Sequence, residues 1–360
     1  MLTLVIPNRN RDLTTVARTL GSIAPQLDEQ LRLVVIDYGS KTAYQQQLVH
    51  LCQQWPKIEV MLCMTQGQLW QKTRAINIVL KRCQTPFFMV ADMDMLFHPE
   101  FKQKIMPHCQ EGQATYFQVG ILSETESQTP KAFEQYDIKF ITDHLATGMT
   151  LAPTTLLQAI GGYDEFYHGW GSEDTDLHVR LRNTTIGVHF YQEQTLLLHQ
   201  WHPKAYRSKQ STAPFHTYLE RINQQYLLFT TQQDRTKANT RLGWGQLPEA
   251  RSYERLAHPE SEIHCYNMQE QLSALWFQLR EGLSQGVVHI RIERHPEMDT
   301  TKTKIKKALN KKTPLFIAMD EANNQFLECI ISHLRNAPYQ YRYDRSRQTI
   351  YCEILLDPSL

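Results

Sequence analysis

Over its first 110 residues the chain alternates short, nearly unbroken apolar runs with stretches in which apolar residues recur every three or four positions. That is the pattern of β-α units feeding a largely parallel sheet. "LTLVIP" predicts a buried strand, and Asp12 predicts the cap of a helix whose Leu13, Val16, Ala17, Leu20 and Ile23 share one face. "RLVVID" predicts a second strand, closed by the turn "YGS", and "IEVMLCM" a third. The helix after it carries Ala75, Ile78, Val79 and Arg82 on one stripe. "PFFMVADMD" predicts a fourth strand that ends in two acids.

Loops and shorter strands are expected over 112–150, with "SETESQTP" as an exposed polar loop, and a helix over 153–160. The stretch "GGYDEFYHGWGSEDTDLHVRLR", residues 161–182, gathers glycines, aromatics and five carboxylates, and its tail from Asp174 takes helical spacing, with Leu177 and Leu181 four apart. "QTLLLHQWHP" predicts a strand running into a loop. From about 203 to 260 the chain is rich in Gln, Arg, Lys and Thr, and reads as one helix with connecting segments. A second alternation follows: helix 268–283, strand "VVHIRIE", helix 301–311, strand "PLFIAMD", helix 321–335 and the hairpin "YQYRYDRSRQTIYCEILL". The expected fold is α/β with a largely parallel central sheet over 1–205, a helical connector over 206–260 and a small α/β domain over 261–360.

Composition narrows the setting more than the function. The 360 residues carry a formal charge of +1, so no global field recruits nucleic acid. The seven cysteines are scattered, odd in number and never spaced as C-x-x-C, which argues against a disulfide framework and a zinc-thiolate site. "MLTLVIPNRNRDL" places apolar residues ahead of basic ones over too short a span for a secretory leader, and no window reaches the roughly 18 uninterrupted apolar residues of a membrane span. The expected location is the cytoplasm, free or peripheral at the inner face of the membrane.

Candidate chemistry sits at strand ends, where open α/β sheets hold their ligands. Asp92 and Asp94, flanking Met93 after the fourth strand, are spaced to reach one Mg²⁺ or Mn²⁺ ion; a solvated turn is the plain alternative. Asp37, after the second strand, can accept from a ribose or a base edge, or merely form an Asx turn. Gln68, Lys72 and Arg74 lie near the start of the third helix and Arg9 and Arg11 after the first strand, where cations suit a pyrophosphate or simply stay solvated. Gly161, Gly162, Gly169 and Gly171 permit close backbone approach, Trp170 offers a flat face for a sugar ring, and Glu173 and Asp174 put carboxylates beside it. One carboxylate suffices as a general base for a hydroxyl. His199 and His202, three apart past a strand, can each add an imidazole to the ion of Asp92 and Asp94, His199 being the preferred one.

With these residues in view, the chain resembles the GT-A fold glycosyltransferases of family 2 and, in its second half, the galactosyltransferase-like branch that includes bacterial chondroitin polymerases. "LVIPNRNR", "LVVIDYGS", "KTRAINIVLKRC", "FFMVADMDMLFHPEF", "GMTLAP", the 161–182 stretch and "LLLHQWHP" occur in the family's order, over residues 2 to about 205. The resemblance implies metal-dependent, inverting transfer of a hexose or N-acetylhexosamine from a UDP-sugar donor to a glycan or lipid-linked saccharide acceptor, with Mn²⁺ or Mg²⁺ as cofactor. It implies donor or acceptor contacts from Pro7, Arg9, Arg11, Asp37, Lys72, Arg74, Asp92, Met93, Trp170 and Gly171. Asp174 would be the general base with Glu173 beside it, and Asp92, Asp94, His199 and His202 the metal set. Tyr38 stands where many relatives carry a second acid, and Ser172 where the galactosyltransferases often have glycine.

Two other readings compete. A sugar nucleotidyltransferase needs a glycine-rich phosphate turn after its first strand, and residues 7–11, Pro-Asn-Arg-Asn-Arg, have no glycine. A non-catalytic carbohydrate- or nucleotide-sugar-binding protein would have no use for the acids together with Asp174. The run "KTKIKKALNKK", 302–312, is open to two uses, a solvated helix face or a contact with anionic lipid. Donor sugar, acceptor, self-association into a homo-oligomer and the role of 261–360 are left open.

Overall fold

Apolar runs become parallel strands here where the chain covers them on both sides, as it does over 2–8, 31–38 and 87–90. The computed structural model describes residues 1–144, 146–203, 217–247, 249–282 and 284–357. β1 (Leu2–Asn8), α1 (Leu13–Ile23), β2 (Leu31–Tyr38), α2 (Thr42–Cys52), β3 (Ile58–Cys63), α3 (Lys72–Arg82) and β4 (Phe87–Val90) come first. β5 (Met95–Phe97), α4 (Phe101–Ile105), β6 (Gln113–Phe117), β7 (Gly120–Leu122), α5 (Glu124–Gln128), β8 (Ile138–Ile141), β9 (Thr150–Pro153) and α6 (Thr154–Ala159) follow. α7 (Glu173–Arg182), β10 (Gly187–Tyr191), β11 (Leu197–His199) and α8 (Leu219–Gln232) come next.

Seven strands form the main sheet in the order β10-β6-β9-β4-β1-β2-β3. Every pairing is parallel except those of β9, which runs against both β4 and β6. Strand alternation divides the core in two. Leu2, Leu4 and Ile6 join Val16, Leu20, Ile23 and Leu48 on one face, while Val5, Val34 and Ile36 join Ala75, Ile78, Val79 and Leu157 on the other. Asp12 caps α1 as expected, its Oδ1 accepting from the Thr14 and Thr15 amides at 3.0 Å. A second sheet, β5-β11-β7-β8, is built from strands of three or four residues.

Two compact units arise, one comprising Met1–Cys63, Trp70–Tyr206 and Glu220–Leu247, the other Met64–Leu69, Arg207–Leu219 and Pro248–Leu360. The segment 206–260, expected as a connector, is divided between them. In the second unit α9 (Ala250–Arg255), β12 (Ser261–Tyr266), α10 (Gln269–Arg280), β13 (Gly286–Glu293), α11 (Thr301–Ala308), α12 (Met319–Cys329), β14 (Tyr339–Asp344) and β15 (Thr349–Leu356) form a four-stranded sheet, β12-β13-β15-β14, with helices. No described helix is long and apolar enough to cross a membrane.

Three sequence expectations need correction. "PLFIAMD" is not a strand: Phe316 makes a single bridge to Met268, and Leu315 is 59% exposed, so the run is not covered on two sides. "SETESQTP" is not simply a loop, because Ser123 caps the short helix α5, its Oγ accepting from the Glu126 amide, and Ser127 is buried. The strand β12 was not expected at all, since its sequence, SEIHCY, is mostly exposed and polar.

Candidate active site

Two three-residue strands bring the histidines to the acids. β5 follows directly from Asp94 and pairs antiparallel with β11, His199 opposite Met95, and the Gln200 amide donates to the Asp94 carbonyl at 2.8 Å. His199 Nε2 then lies 3.5 Å from Asp94 Oδ1, and His202 Nε2 3.3 Å from Oδ2. Arg11, from the loop ahead of α1, reaches the same carboxylate at 2.9 Å. Asp94 is 2% exposed, yet its Oδ1 accepts no hydrogen bond from any described residue, and His199 Nδ1 has no partner there either. One ligand atom from each of Asp94, His199 and His202 lies within 4.8 Å of the others. Leaving a buried carboxylate oxygen unpaired is costly unless a cation takes it. A mixed imidazole and carboxylate set fits a first-row divalent ion better than Mg²⁺, which prefers oxygen throughout.

Asp92 turns the other way. Its carboxylate meets Lys72 Nζ at 3.0 Å, and that ammonium also lies 3.5 Å from Glu173 and 3.3 Å from Asp174. Lys72 thus ties the tip of β4 to the start of α7, two places far apart in sequence. Burial opposes the charge on Lys72, but Asp174, Asp92 and Glu173 outweigh it and hold the ammonium well above its usual range. Burial likewise opposes the charge on Asp92, and Lys72 overrides it, keeping that carboxyl below the ordinary value. Asp174 goes the opposite way. Burial, against the help of Lys72 and together with the negative charges of Glu173 and Asp92, pushes it up to about 8. Three carboxylates share one ammonium, and Asp174 takes the surplus.

The loop before α7 shapes the space beside this cluster. Gly169, Gly171 and Ser172 all adopt positive φ, at 71°, 100° and 73°, so the chain doubles back and leaves Trp170 half exposed. Trp170, Glu173 and Asp174 line a cavity of about 370 Å³, closed by Thr147 and Gly148 on one side and by Glu220 and Gln224 of α8 on another. A Cβ at Gly148 would lie 3.3 Å from Asp174 Oδ2, a tight contact that would push on that carboxylate. Asp174 Oδ1 accepts no hydrogen bond from any described residue.

Residues 3–151 match Glycosyl transferase family 2, and residues 128–201 match the N-terminal domain of galactosyltransferase. The N-terminal unit contains a family 2 glycosyltransferase domain. Chondroitin sulfate synthase 3 of Mus musculus is 24% identical over 193 residues, which is 49% of this chain and 21% of that protein. The chain therefore spans about a fifth of that relative's length. Among solved structures, S. aureus TarS 1–349 in complex with UDP-GlcNAc is 14% identical with a TM-score of 0.47, over 64% of this chain and 66% of that one. GalNAc-T7 with UDP, GalNAc and Mn²⁺ is 13% identical with a TM-score of 0.42, over 57% and 44%.

Within the glycosyltransferase domain the other expected site residues are placed variously. Asp37 is fully buried, and its carboxylate accepts from Asn8 Nδ2, Ser40 Oγ, the Ser40 amide and Gln45 Nε2, so it holds the β2 turn rather than facing open space. Arg74 is buried as well and donates from Nε to Glu165 at 2.8 Å. Pro7 lies buried in β1, and Met93 packs into the core while its carbonyl accepts from Thr19 Oγ1. Gln68 belongs to the second unit, where its Nε2 donates to Tyr253 Oη. Arg9 is partly exposed. Sequence reasoning missed Gly148, Glu220 and Gln224. The last two stand in a polar, Gln-rich segment with nothing to distinguish them.

Proposed function

We propose that the protein is a metal-dependent, inverting glycosyltransferase that moves a hexose or N-acetylhexosamine from a UDP-sugar to a hydroxyl of a glycan or lipid-linked acceptor. The observation that carries this reading is Lys72, whose one ammonium draws Asp92, Glu173 and Asp174 together beside the Trp170 cavity. The catalytic work falls to the N-terminal unit. Seven unpaired cysteines suit a reducing cytoplasm.

Asp174 acts as general base. Its unpartnered oxygen takes the proton of the acceptor hydroxyl while that oxygen attacks the anomeric carbon on the face opposite the leaving UDP. A pKa near 8 places the base close to working pH, where proton transfer is most effective. Trp170 supports the sugar ring, and Glu173 keeps Lys72 from neutralising Asp174 fully. Asp94, His199 and His202 would hold the divalent ion, which supplies charge neutralisation at the diphosphate when bound. Arg11 stands beside them as a further cation for the phosphates.

The test is release of UDP from a panel of UDP-sugars with Mn²⁺ and with Mg²⁺, using saccharide acceptors, before and after EDTA. Turnover that EDTA abolishes and Mn²⁺ restores is expected. Turnover that survives EDTA would remove the metal from the proposal, and an Asp94→Ala protein that binds UDP with Mn²⁺ as tightly as the parent would remove the ligand set.

A further inference from the structure

Among the described surfaces of the second unit, α11 departs most from the usual pattern. In an ordinary surface helix the apolar residues face the body and the polar ones face water. α11 is reversed. Among its described side chains only Thr303 is buried, at 5%, with its amide donating to Thr300 Oγ1, while Ile305 is 54% exposed and Leu309, just past its end, 60%. At about 100° per residue, Ile305 lies about 200° and Leu309 about 240° around from Thr303, both away from its buried side. The Leu309 amide donates to the Ile305 carbonyl at 3.0 Å, which holds the two on one face. Leu315, just beyond, is 59% exposed.

Charge surrounds these apolar side chains. Lys302, Lys304, Lys306, Lys311 and Lys312 are all exposed, and none pairs with an acidic side chain among the described residues. The nearest acid in sequence on the N-terminal side, Asp299, is already taken by Arg294. A solvated helix face would explain the lysines but not Ile305 and Leu309 pointing outward between them. A soluble polyanion would use the lysines and leave the apolar pair in water. A bilayer with anionic head groups uses both, because its interface accepts branched apolar side chains while its surface potential attracts ammonium groups.

We propose that α11 and the turn after it, 301–315, form a membrane-surface contact for anionic phospholipid. Ile305 and Leu309 enter the head-group boundary, and the five lysines lie over the acidic head groups. This does not rest on the glycosyl-transfer reading and can be tested without any sugar substrate.

The experiment is flotation of the full chain with phosphatidylcholine vesicles, pure or doped with phosphatidylglycerol, over a series of salt concentrations. Binding is expected only to the doped vesicles, and it should weaken as salt rises. Lys304→Gln with Lys306→Gln should weaken partitioning about 25-fold, at roughly fivefold per lysine. Ile305→Ser with Leu309→Ser keeps every charge and should weaken it about tenfold. No partitioning of the parent at low salt would overturn the proposal. Equal partitioning of the Ile305→Ser, Leu309→Ser protein would overturn it too, and would point to a soluble polyanion. A dimer that the same pair dissolves would assign the face to a second copy of the chain instead.

Discussion

The tripeptide Gly-Trp-Gly occurs twice, at 169–171 and at 243–245, and the two copies are put to opposite uses. In the first, the chain doubles back through positive φ and leaves Trp170 half exposed on a cavity. In the second, Trp244 packs against the α3 side of the core under Lys81, whose Nζ lies 5.2 Å from the ring centre and donates to the Trp244 carbonyl. Gly245 is buried there, and its amide donates to Glu165 Oε1 at 2.7 Å. What separates the copies is the carboxylate each meets. Glu165 is fully satisfied, by Arg74, Asn77 and Gly245, whereas Glu173 and Asp174 share one ammonium with Asp92. One acid builds structure, and the others are left ready for a ligand.

Removing the structural acid should therefore have the largest effect. Glu165→Ala takes away the carboxylate that faces the buried Arg74 guanidinium and removes the acceptor it gives to Asn77 Nδ2 and the Gly245 amide. Breaking a buried ion pair from one side typically costs about 3–5 kcal/mol. Chemical denaturation should show a loss of that size, against under about 1 kcal/mol for Glu173→Ala. Equal losses would erase the distinction between the two regions.

Asp174→Asn comes next. It should lower transfer about 100-fold or more while leaving UDP binding and thermal stability close to those of the parent. The same assignment fixes the sign of the pH profile. With its carboxyl near pH 8, Asp174 is protonated below that value and cannot accept a proton, so kcat/KM should climb about tenfold per pH unit on the acid side and level off above about 8. Near-normal turnover in the Asn protein would remove Asp174 from the role, and so would a profile that falls through this range.

Much of this division was legible in the sequence, though not all. Three of the four N-terminal strands, β1, β2 and β4, are readable because burial on both sides demands nearly unbroken apolar runs, and the acids at the strand tips follow from the rule that such sheets bind at strand ends. The site was harder, because residue type does not reveal who takes a residue's hydrogen bonds. Asp37 and Arg74 have the chemistry of ligand contacts, yet Asn8, Ser40 and Gln45 absorb the first and Glu165 is bound to the second. His199 is a candidate by its spacing from His202 and by the family resemblance. The feature that positions it, the pairing of β5 with β11, involves strands of three residues, too short to show any period.

The two tryptophan loops can also be set against each other directly. A Cβ at Gly245 would lie 2.6 Å from the Asn77 carbonyl oxygen, at a φ of 59°. Gly245→Ala should cost on the order of 2 kcal/mol from this overlap and the backbone strain. Trp170→Ala should leave the melting temperature nearly unchanged and raise the KM for the saccharide acceptor about tenfold. A Trp170→Ala protein that unfolds early would mean that the first loop, like the second, is held by its indole.

The smallest effect expected concerns α8, which closes the Trp170 cavity from outside the residues that match either family. Gln224 stands one helical turn from Glu220, and both line the space that Asp174 faces. The proposed function puts the acceptor in this cavity, so the effect of a side chain on this wall should fall on the acceptor and spare the nucleotide. Gln224→Ala removes one hydrogen-bonding amide from the rim of an open cavity, where water replaces it at little cost, so the acceptor KM should rise only about threefold. The donor KM should stay unchanged, and so should the slow release of UDP without acceptor. A shift in donor KM instead would put the nucleotide against α8 and exchange the two halves of the cleft, leaving the first Gly-Trp-Gly loop on the donor side.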